Sequence, residues 1–434
     1  MANALLLKAG RERIDLRSLT YTPIESLEEL RAAAQLAIQV EFTTIPAYLS
    51  ALYSIADTDD FAYQALRSVV VEEMFHLNQA ANILVGIGGV PVMTGAAVPV
   101  YPTYLPSANT DLTPYVGLFQ ASTSVFRNVF MAIETPAPWT APPQGQNYQT
   151  IGQLYKALWD GIVFCVKKYG EAAVFEQQSG TEQRNDIYLG KFGGRAIVVD
   201  SLESAKLAIN QIVEQGEGAV DPTHALVAEQ PYGAYQHYGM RTDGTYGPIM
   251  GTPYELSHYY KFLKVADAPS FPPTRPTISN PRLSDFGNAV AVATARAFNT
   301  CYSVVLNSLQ QSFTTAGGGS DVYFKITLPL MHNQLPVLAL QLMQTPAFSD
   351  GDAAVGPNAA PTFEYDAAAN FGTFLAELAA LKQMAQGQAA AQLALAVGAP
   401  PAVTAPPPLP AGLERIIANA AELKRLSDAA GYAL

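Results

Sequence analysis

The chain has 434 residues, 49% hydrophobic and 14% charged, enough apolar material for a compact protein with a large core. Its 25 basic and 37 acidic residues leave a net charge of −12, which argues against nucleic acid or an anionic membrane as partner. Two cysteines, Cys165 and Cys301, give no disulfide framework. The apolar run at the N-terminus is short for a signal peptide, and the uncharged stretches 77–110 and 387–413 are broken by prolines, so neither reads as a membrane span and a cytoplasmic protein is expected.

In chain order, residues 25–90 read as two helices. The first carries an apolar face at Leu30, Ala33, Ala34, Ala37, Ile38, Ile45, Tyr48, Leu49 and Leu52, with Pro46 expected to kink it. The second runs into Gly86, Gly88, Gly89 and Pro91, a stop signal; no strand precedes this glycine cluster, so it is read as a cap and not as a nucleotide loop. Residues 91–150 are rich in Pro, Gly and Thr and form a long excursion with one helical or extended piece around 115–133. Its aromatic residues, among them Tyr101, Tyr104, Tyr115, Phe119, Phe126 and Trp139, either line access to a site or simply pack over the helices. Further helices are expected at 151–171, 202–215 and from Thr252 to about Val265. The proline cluster at 268–281 marks a boundary between residues 1–270 and 271–434. Helices at 283–313, 325–345, 367–385 and 413–430 follow, with an Ala/Pro-rich tether at 399–412. The expected fold is mainly α.

The stretch VVVEEMFHLNQAANILVGIGG raises the functional question. Residues three and four apart share a helix face, so Leu66, Val69, Val70, Glu73, His76, Leu77, Ala80 and Leu84 form one stripe, apolar except for the glutamate and the histidine. Glu72 falls with Ser68, Gln79 and Asn82 on a polar stripe, where a solvated carboxylate is expected. Burying Glu73 unpaired costs several kcal/mol, so it needs a partner. Three residues of helix separate Glu73 and His76 by about 4.5 Å of rise, close enough to reach one ion. A hydrogen-bonded Glu–His pair in a core is the plainer explanation.

The first helix decides between them. Its apolar stripe passes through Glu41, so two neighbouring helices each direct a carboxylate towards a core and one adds a histidine. That is half of the dinuclear pattern of ferritin-like bundles, in which two helices give one Glu each and two give a Glu-x-x-His. The pattern requires a second Glu-x-x-His downstream of a lone Glu. YELSHYYKFL supplies Glu255 and His258, and AINQIVEQGEG supplies Glu214 and Glu217 upstream. Glu255 also fits a capping box with Thr252. Glu214 is favoured over Glu217, which lies between two glycines where the helix is expected to end. Glu203, His224, His237 and His332 fit no ligand spacing. Carboxylates with one imidazole per metal and no thiolate suit two iron ions, or manganese, over zinc, copper or an iron–sulfur cluster.

The segments VEFTTIPAYLSALYSI, VVVEEMFHLNQAANIL, IVEQGEG and ELSHYYKF resemble the ferritin-like, iminophenyl-pyruvate dimer synthase domain found in the chromopyrrolate-type synthases of violacein and rebeccamycin biosynthesis. The resemblance covers about residues 25–270, with GPNAAPTFEY as a further echo. It implies a diiron-type ferritin-like fold; with the elements above, the expected architecture is a ferritin-like four-helix bundle with a long irregular insertion between helix pairs and a helical C-terminal extension. It further implies a metal-ligand set including Glu41, Glu73, His76, Glu255 and His258, and oxidative chemistry by dioxygen on a small amino-acid-derived imine or aromatic metabolite. The rival expectations are a ferroxidase-like iron-binding protein and a non-catalytic bundle kept for structure or assembly. The oligomeric state stays open.

Overall fold

The computed structural model describes residues 22–137, 141–189, 194–217, 256–397, 411–432 and 434. Helix α1 (Leu27–Ser54) starts at Ser26, whose side chain accepts from Glu29 N–H while the Glu29 carboxylate accepts from Ser26 N–H, a reciprocal capping box. It continues through Pro46 to Ser54. Helix α2 (Phe61–Gly86) starts at Asp60, whose carboxylate accepts from Ala62 N–H. It ends as the glycine cluster foretells: Gly89 N–H donates to Leu84 C=O and Gly88 N–H to Val85 C=O, with Gly88 at φ +75°. Gly88 can adopt that left-handed conformation without a Cβ penalty.

A helical run, α3, spans 123–133: Thr123–Val125, a π-type turn at Phe126–Phe130, and Met131–Ile133. Then come α4 (Ile151–Tyr169), α5 (Leu202–Gly216) and α6 (His258–Ala266). Helices α1, α2, α5 and α4 contact one another in a ring and close a four-helix bundle. Helix α6 is a fifth element laid on α2 and α3. It begins at His258, because Ser257 is extended (φ −62°, ψ 164°); the helix expected from Thr252 through His258 is therefore interrupted before the histidine. Residues 252–255 lie outside the described residues.

The C-terminal extension is built on α7 (Ala289–Thr314). Around it pack α8, at 319–333 with a π-type turn at Tyr323–Thr327, and α9 (Leu335–Met343). They are joined by α10 (Phe371–Val397), and α11 (Ala411–Ala430) packs on α10. The helix expected at 325–345 is thus two helices, with Pro336 at the start of α9. The described residues contain isolated bridges but no strand. Helix α7 is long and apolar enough to cross a membrane, but 83% of its most apolar window is buried, as in a core helix. Helix α9 touches α1, and one apolar cluster runs from Leu30 and Ile38 of α1 to Phe298 and Leu338.

The proline-rich strip 268–281 is pinned at both sides. Arg275 N–H donates to Ser54 C=O, Asn280 N–H to Leu118 C=O, and Thr277 pairs with Asn358. Most of the tether at 399–412 lies outside the described residues.

Candidate metal centre

Glu41, Glu73, His76 and His258 converge in the interior, each no more than 2% exposed. Glu41 comes from the middle of α1, Glu73 and His76 from the middle of α2, and His258 from the first turn of α6. The candidate ligand atoms of Glu73, His76 and His258 lie within 4.8 Å of one another. A further carboxylate joins them. Glu134 follows α3 directly, and its Oε2 lies 3.7 Å from His258 Nδ1.

Three of the carboxylates share one arrangement. Tyr155 of α4 donates its hydroxyl to Glu41 Oε1 at 2.6 Å, Thr44 donates to Glu73 Oε2 at 2.6 Å, and Tyr48 donates to Glu134 Oε1 at 2.6 Å. Each carboxylate therefore has one oxygen held and presents the other to an imidazole. Glu41 Oε2 is 3.8 Å from His76 Nδ1; Glu73 Oε1 is 3.7 Å from His76 Nδ1 and 2.7 Å from His258 Nδ1. Glu73 is thus shared, with Glu41 and His76 on one side and Glu134 and His258 on the other. The two rings stack, centroids 5.2 Å apart.

Glu217 caps α5 and lines the same small cavity as Glu41, Glu73, His76 and Glu134. Its carboxylate accepts from Gly152 N–H at 2.5 Å and Ala137 N–H at 3.2 Å. Gly152 lies in the first turn of α4, where free backbone N–H groups and the helix dipole favour an anion. A Cβ on Gly152 would overlap the Glu217 carboxylate, so glycine makes the approach possible. Glu214, the residue favoured from sequence, is half-buried and does not line the cavity. The preference is reversed by the helix running on through Gly216, which places Glu217 inward. Glu255 lies outside the described residues.

The expectation that Glu72 is solvated is wrong. Glu72, Ser68, Gln79 and Asn82 are all buried, because the second face of α2 is covered too. Gln79 and Asn82 bond the chain at Ile197 and Arg184, while Lys261 of α6 reaches Ser68 Oγ at 2.7 Å and Glu72 Oε2 at 2.5 Å. An amphipathic reading assumes one wet face, and α2 has none in this stretch.

The electrostatics follow from burial. Desolvation, reinforced by the neighbouring Glu73, raises the Glu41 carboxyl well above its ordinary value. Desolvation likewise pushes Glu217 up to about 8, against the pull of the Gly152 and Ala137 N–H groups, and Glu214 up to about 7. Burial opposes ionisation of Glu72 as well, but the Lys261 ammonium and His258 outweigh it and bring its carboxyl down to about 2. Desolvation opposes ionisation of Glu73 too, but the neighbouring His258 and His76 imidazoles outweigh it and lower its carboxyl. Glu134, Glu72 and Glu73 in turn raise His258 in spite of its burial.

The donor set fits metal ions. His258 Nδ1 lies 2.7 Å from Glu73 Oε1 and 3.7 Å from Glu134 Oε2 yet makes a hydrogen bond of acceptable geometry with neither, a buried nitrogen set among carboxylates and left unsatisfied by them. Its other nitrogen and that of His76 are each engaged, as ligating histidines usually are. Glutamates 41, 72, 73, 134 and 217 are buried against one buried lysine among the described residues, Lys261. With all five ionised the charge is −4 before the histidines are counted, which two divalent cations would neutralise.

Sequence reasoning missed Glu134, Glu72, Lys261 and the hydroxyl donors. For Glu134 a signal exists: it is the only acid between Asp111 and Asp160, four residues after Phe130 and eight after Phe126. Lys261 sits one turn beyond His258.

A helical bundle with buried carboxylates and imidazoles gathered between its helices is the architecture of carboxylate-bridged metal proteins. A ferritin-like family model matches residues 34–267, more than half of the chain, and the chain belongs to that family. A solved ferritin-like protein from Caulobacter vibrioides aligns with a TM-score of 0.53 at 21% identity, covering 80% of this chain and 100% of that one. At that identity the likeness bears on the fold alone. No curated protein matches the sequence.

Proposed function

We propose that the chain is a non-haem dinuclear metal oxidase or oxygenase, holding two iron ions between Glu41 and His76 on one side and Glu134 and His258 on the other, with Glu73 shared. The observation that carries this reading is the set of three hydroxyl-held carboxylates aiming their second oxygens at two imidazole Nδ1 atoms. Glu217, which lines the same small cavity, completes the set. Two such ions, when bound, supply two electrons to dioxygen, a capacity the side chains lack.

The chain's own residues hold the geometry and the charge. Tyr155, Thr44 and Tyr48 fix the direction of each carboxylate, and the aromatic wall of Phe126, Phe130 and Phe262 beside Tyr48 keeps water from that side. Without cations, burial holds protons on Glu41 and Glu217; metal binding displaces protons from such groups. The resemblance to the iminophenyl-pyruvate dimer synthase domain supports an amino-acid-derived imine or similar aromatic metabolite as substrate.

One observation favours a second reading. The cavity at the carboxylates measures about 10 Å³, the room one water needs. That space suits a metal ion or dioxygen, so a ferroxidase-type activity, in which iron itself is oxidised, fits the described residues without rearrangement.

Metal analysis of protein produced with iron supplementation should find two ions per chain. Oxygen added to the anaerobic iron(II)-loaded protein should then oxidise both together. Oxidation no faster than that of free iron(II) in the same buffer would defeat both oxidase readings. A candidate imine that accelerates turnover would favour the first reading over the second.

A further inference from the structure

The two halves of the centre look alike from inside and differ from behind. His76 Nε2 meets the neutral amide of Gln215, with Oε1 at 3.0 Å. His258 Nε2 meets a carboxylate, Glu72 Oε2, at 3.2 Å. That same oxygen accepts from Lys261 Nζ, which also donates to Ser68 Oγ. Ser68 and Glu72 are one turn apart on α2, and His258 and Lys261 are one turn apart on α6. The result is a two-rung ladder between helices: the imidazole and the ammonium of α6 lie on the carboxylate and hydroxyl of α2. All four side chains are buried, so water does not blur the contacts.

The geometry points to a built-in inequality. We propose that Glu72, with Lys261 and Ser68, is a positioning group that makes the His258 half-site the first and tighter metal site, while the Gln215-backed His76 half-site fills second. The inference rests on the dinuclear reading above. Its physical basis is the partner of the non-ligating nitrogen. An N–H donated to a carboxylate makes the opposite nitrogen a better electron donor and fixes the tautomer; an amide acceptor does so less. Lys261 has a specific part. A buried carboxylate with no counter-charge would be costly and free to turn towards the metals, whereas Lys261 holds it behind the ring.

Fold alone does not demand this arrangement. A salt bridge that only joined α6 to α2 would not need to place its carboxylate on His258 Nε2. The alternative, that the ladder is structural glue, predicts an effect on stability with no preference between half-sites.

Single-site backgrounds separate the two. Manganese(II) or cobalt(II) binding to the full chain should show two steps by calorimetry. His76→Ala should retain the tighter step and His258→Ala the weaker. The charge-balanced pair Glu72→Gln with Lys261→Met should weaken binding by about 10- to 100-fold in the His76→Ala background, the usual cost of losing such a partner. The same pair should change binding less than threefold in the His258→Ala background. Should the pair misfold, Gln215→Glu gives an independent reading, tightening the weaker step and narrowing the gap. Equal losses in both backgrounds, or an unchanged gap in Gln215→Glu, would overturn the inequality while leaving two bound ions and the dinuclear reading intact. A wild-type chain that binds no metal would overturn both.

Discussion

The two sides of the centre are built by different means. On the Glu41–His76 side every group comes from the interior of a long helix, where the backbone is hydrogen-bonded in both directions. On the Glu134–His258 side the groups come from helix ends: Glu134 closes α3, Glu217 caps α5, and His258 opens α6. Mid-helix groups inherit their direction from the bundle. End groups depend on caps, turns and a tyrosine or lysine to aim them, which is why Glu217 needs Gly152 and His258 is backed by Glu72. The first side is therefore the rigid one, and the second is where small changes should have the larger effect on metal binding.

Glu73 is the only carboxylate near both Nδ1 atoms among the described residues, so it tests the division most severely. Glu73→Ala should abolish binding of both ions, whereas Glu41→Ala and Glu134→Ala should each leave one. Elemental analysis of the three proteins checks this; one ion remaining in Glu73→Ala would show that the sides do not share it.

The next comparison is between neighbours on α5 and its cap. Glu217→Gln should lower metal stoichiometry, and Glu214→Gln, which alters a residue outside the cavity, should leave it nearly unchanged. Equal effects would remove Glu217 from the second side.

Glu217 also carries a pH signature in the metal-free protein. Its folded carboxyl lies near 8, facing Glu134, above its unfolded value near 4.5. The folded state therefore keeps a proton that the unfolded state has lost, and stability falls as pH rises from about 4.5 towards 8. The full shift corresponds to a few kcal/mol at most, roughly 1.4 per unit. Urea unfolding of the metal-free chain between pH 5 and 8 should show that decline, to which the likewise raised Glu41, Glu214 and His258 add, and Glu217→Gln should make it shallower without abolishing it. Glu72 and Glu73, lowered in the folded state, act only at lower pH and do not offset it. A metal-free chain equally stable across the range would place Glu217 in contact with water.

The same division explains what could be read from the chain. Glu41, Glu73 and His76 interrupt long apolar stripes with a 3.6-residue period, and an interruption is visible only where the period is long. His258 was found by spacing, yet the helix that should have carried Glu255 beside it starts at His258 itself. Glu134 follows a short π-turned helix in a proline-rich excursion, too brief to set a stripe. Glu72 was misplaced because the coverage of α2 by α6 and by the chain near Ile197 is a tertiary fact that the pattern within one helix does not contain. The bundle itself was legible, but its fourth member was not the His258 helix. It is α4, which brings Tyr155 and no carboxylate to the centre.

The smallest expected effect concerns the hydroxyls that aim the carboxylates. Tyr155→Phe frees Glu41 on the rigid side, and Tyr48→Phe frees Glu134 on the other; both keep the ring and its packing. Each removes one hydrogen bond to a charged acceptor, worth about 1–2 kcal/mol, so affinity should fall roughly 5- to 30-fold in one half-site only. Each carboxylate loses its only side-chain hydrogen bond among those described, but Glu41 still projects from the middle of α1, whereas Glu134 hangs from the end of α3. Tyr48→Phe should therefore fall near the top of that range and Tyr155→Phe near the bottom. Calorimetric titration in the His76→Ala and His258→Ala backgrounds assigns each loss to its side. If Tyr155→Phe proved the more damaging, position within a helix would not be what stiffens the first side, and the hydroxyl would have to be credited instead.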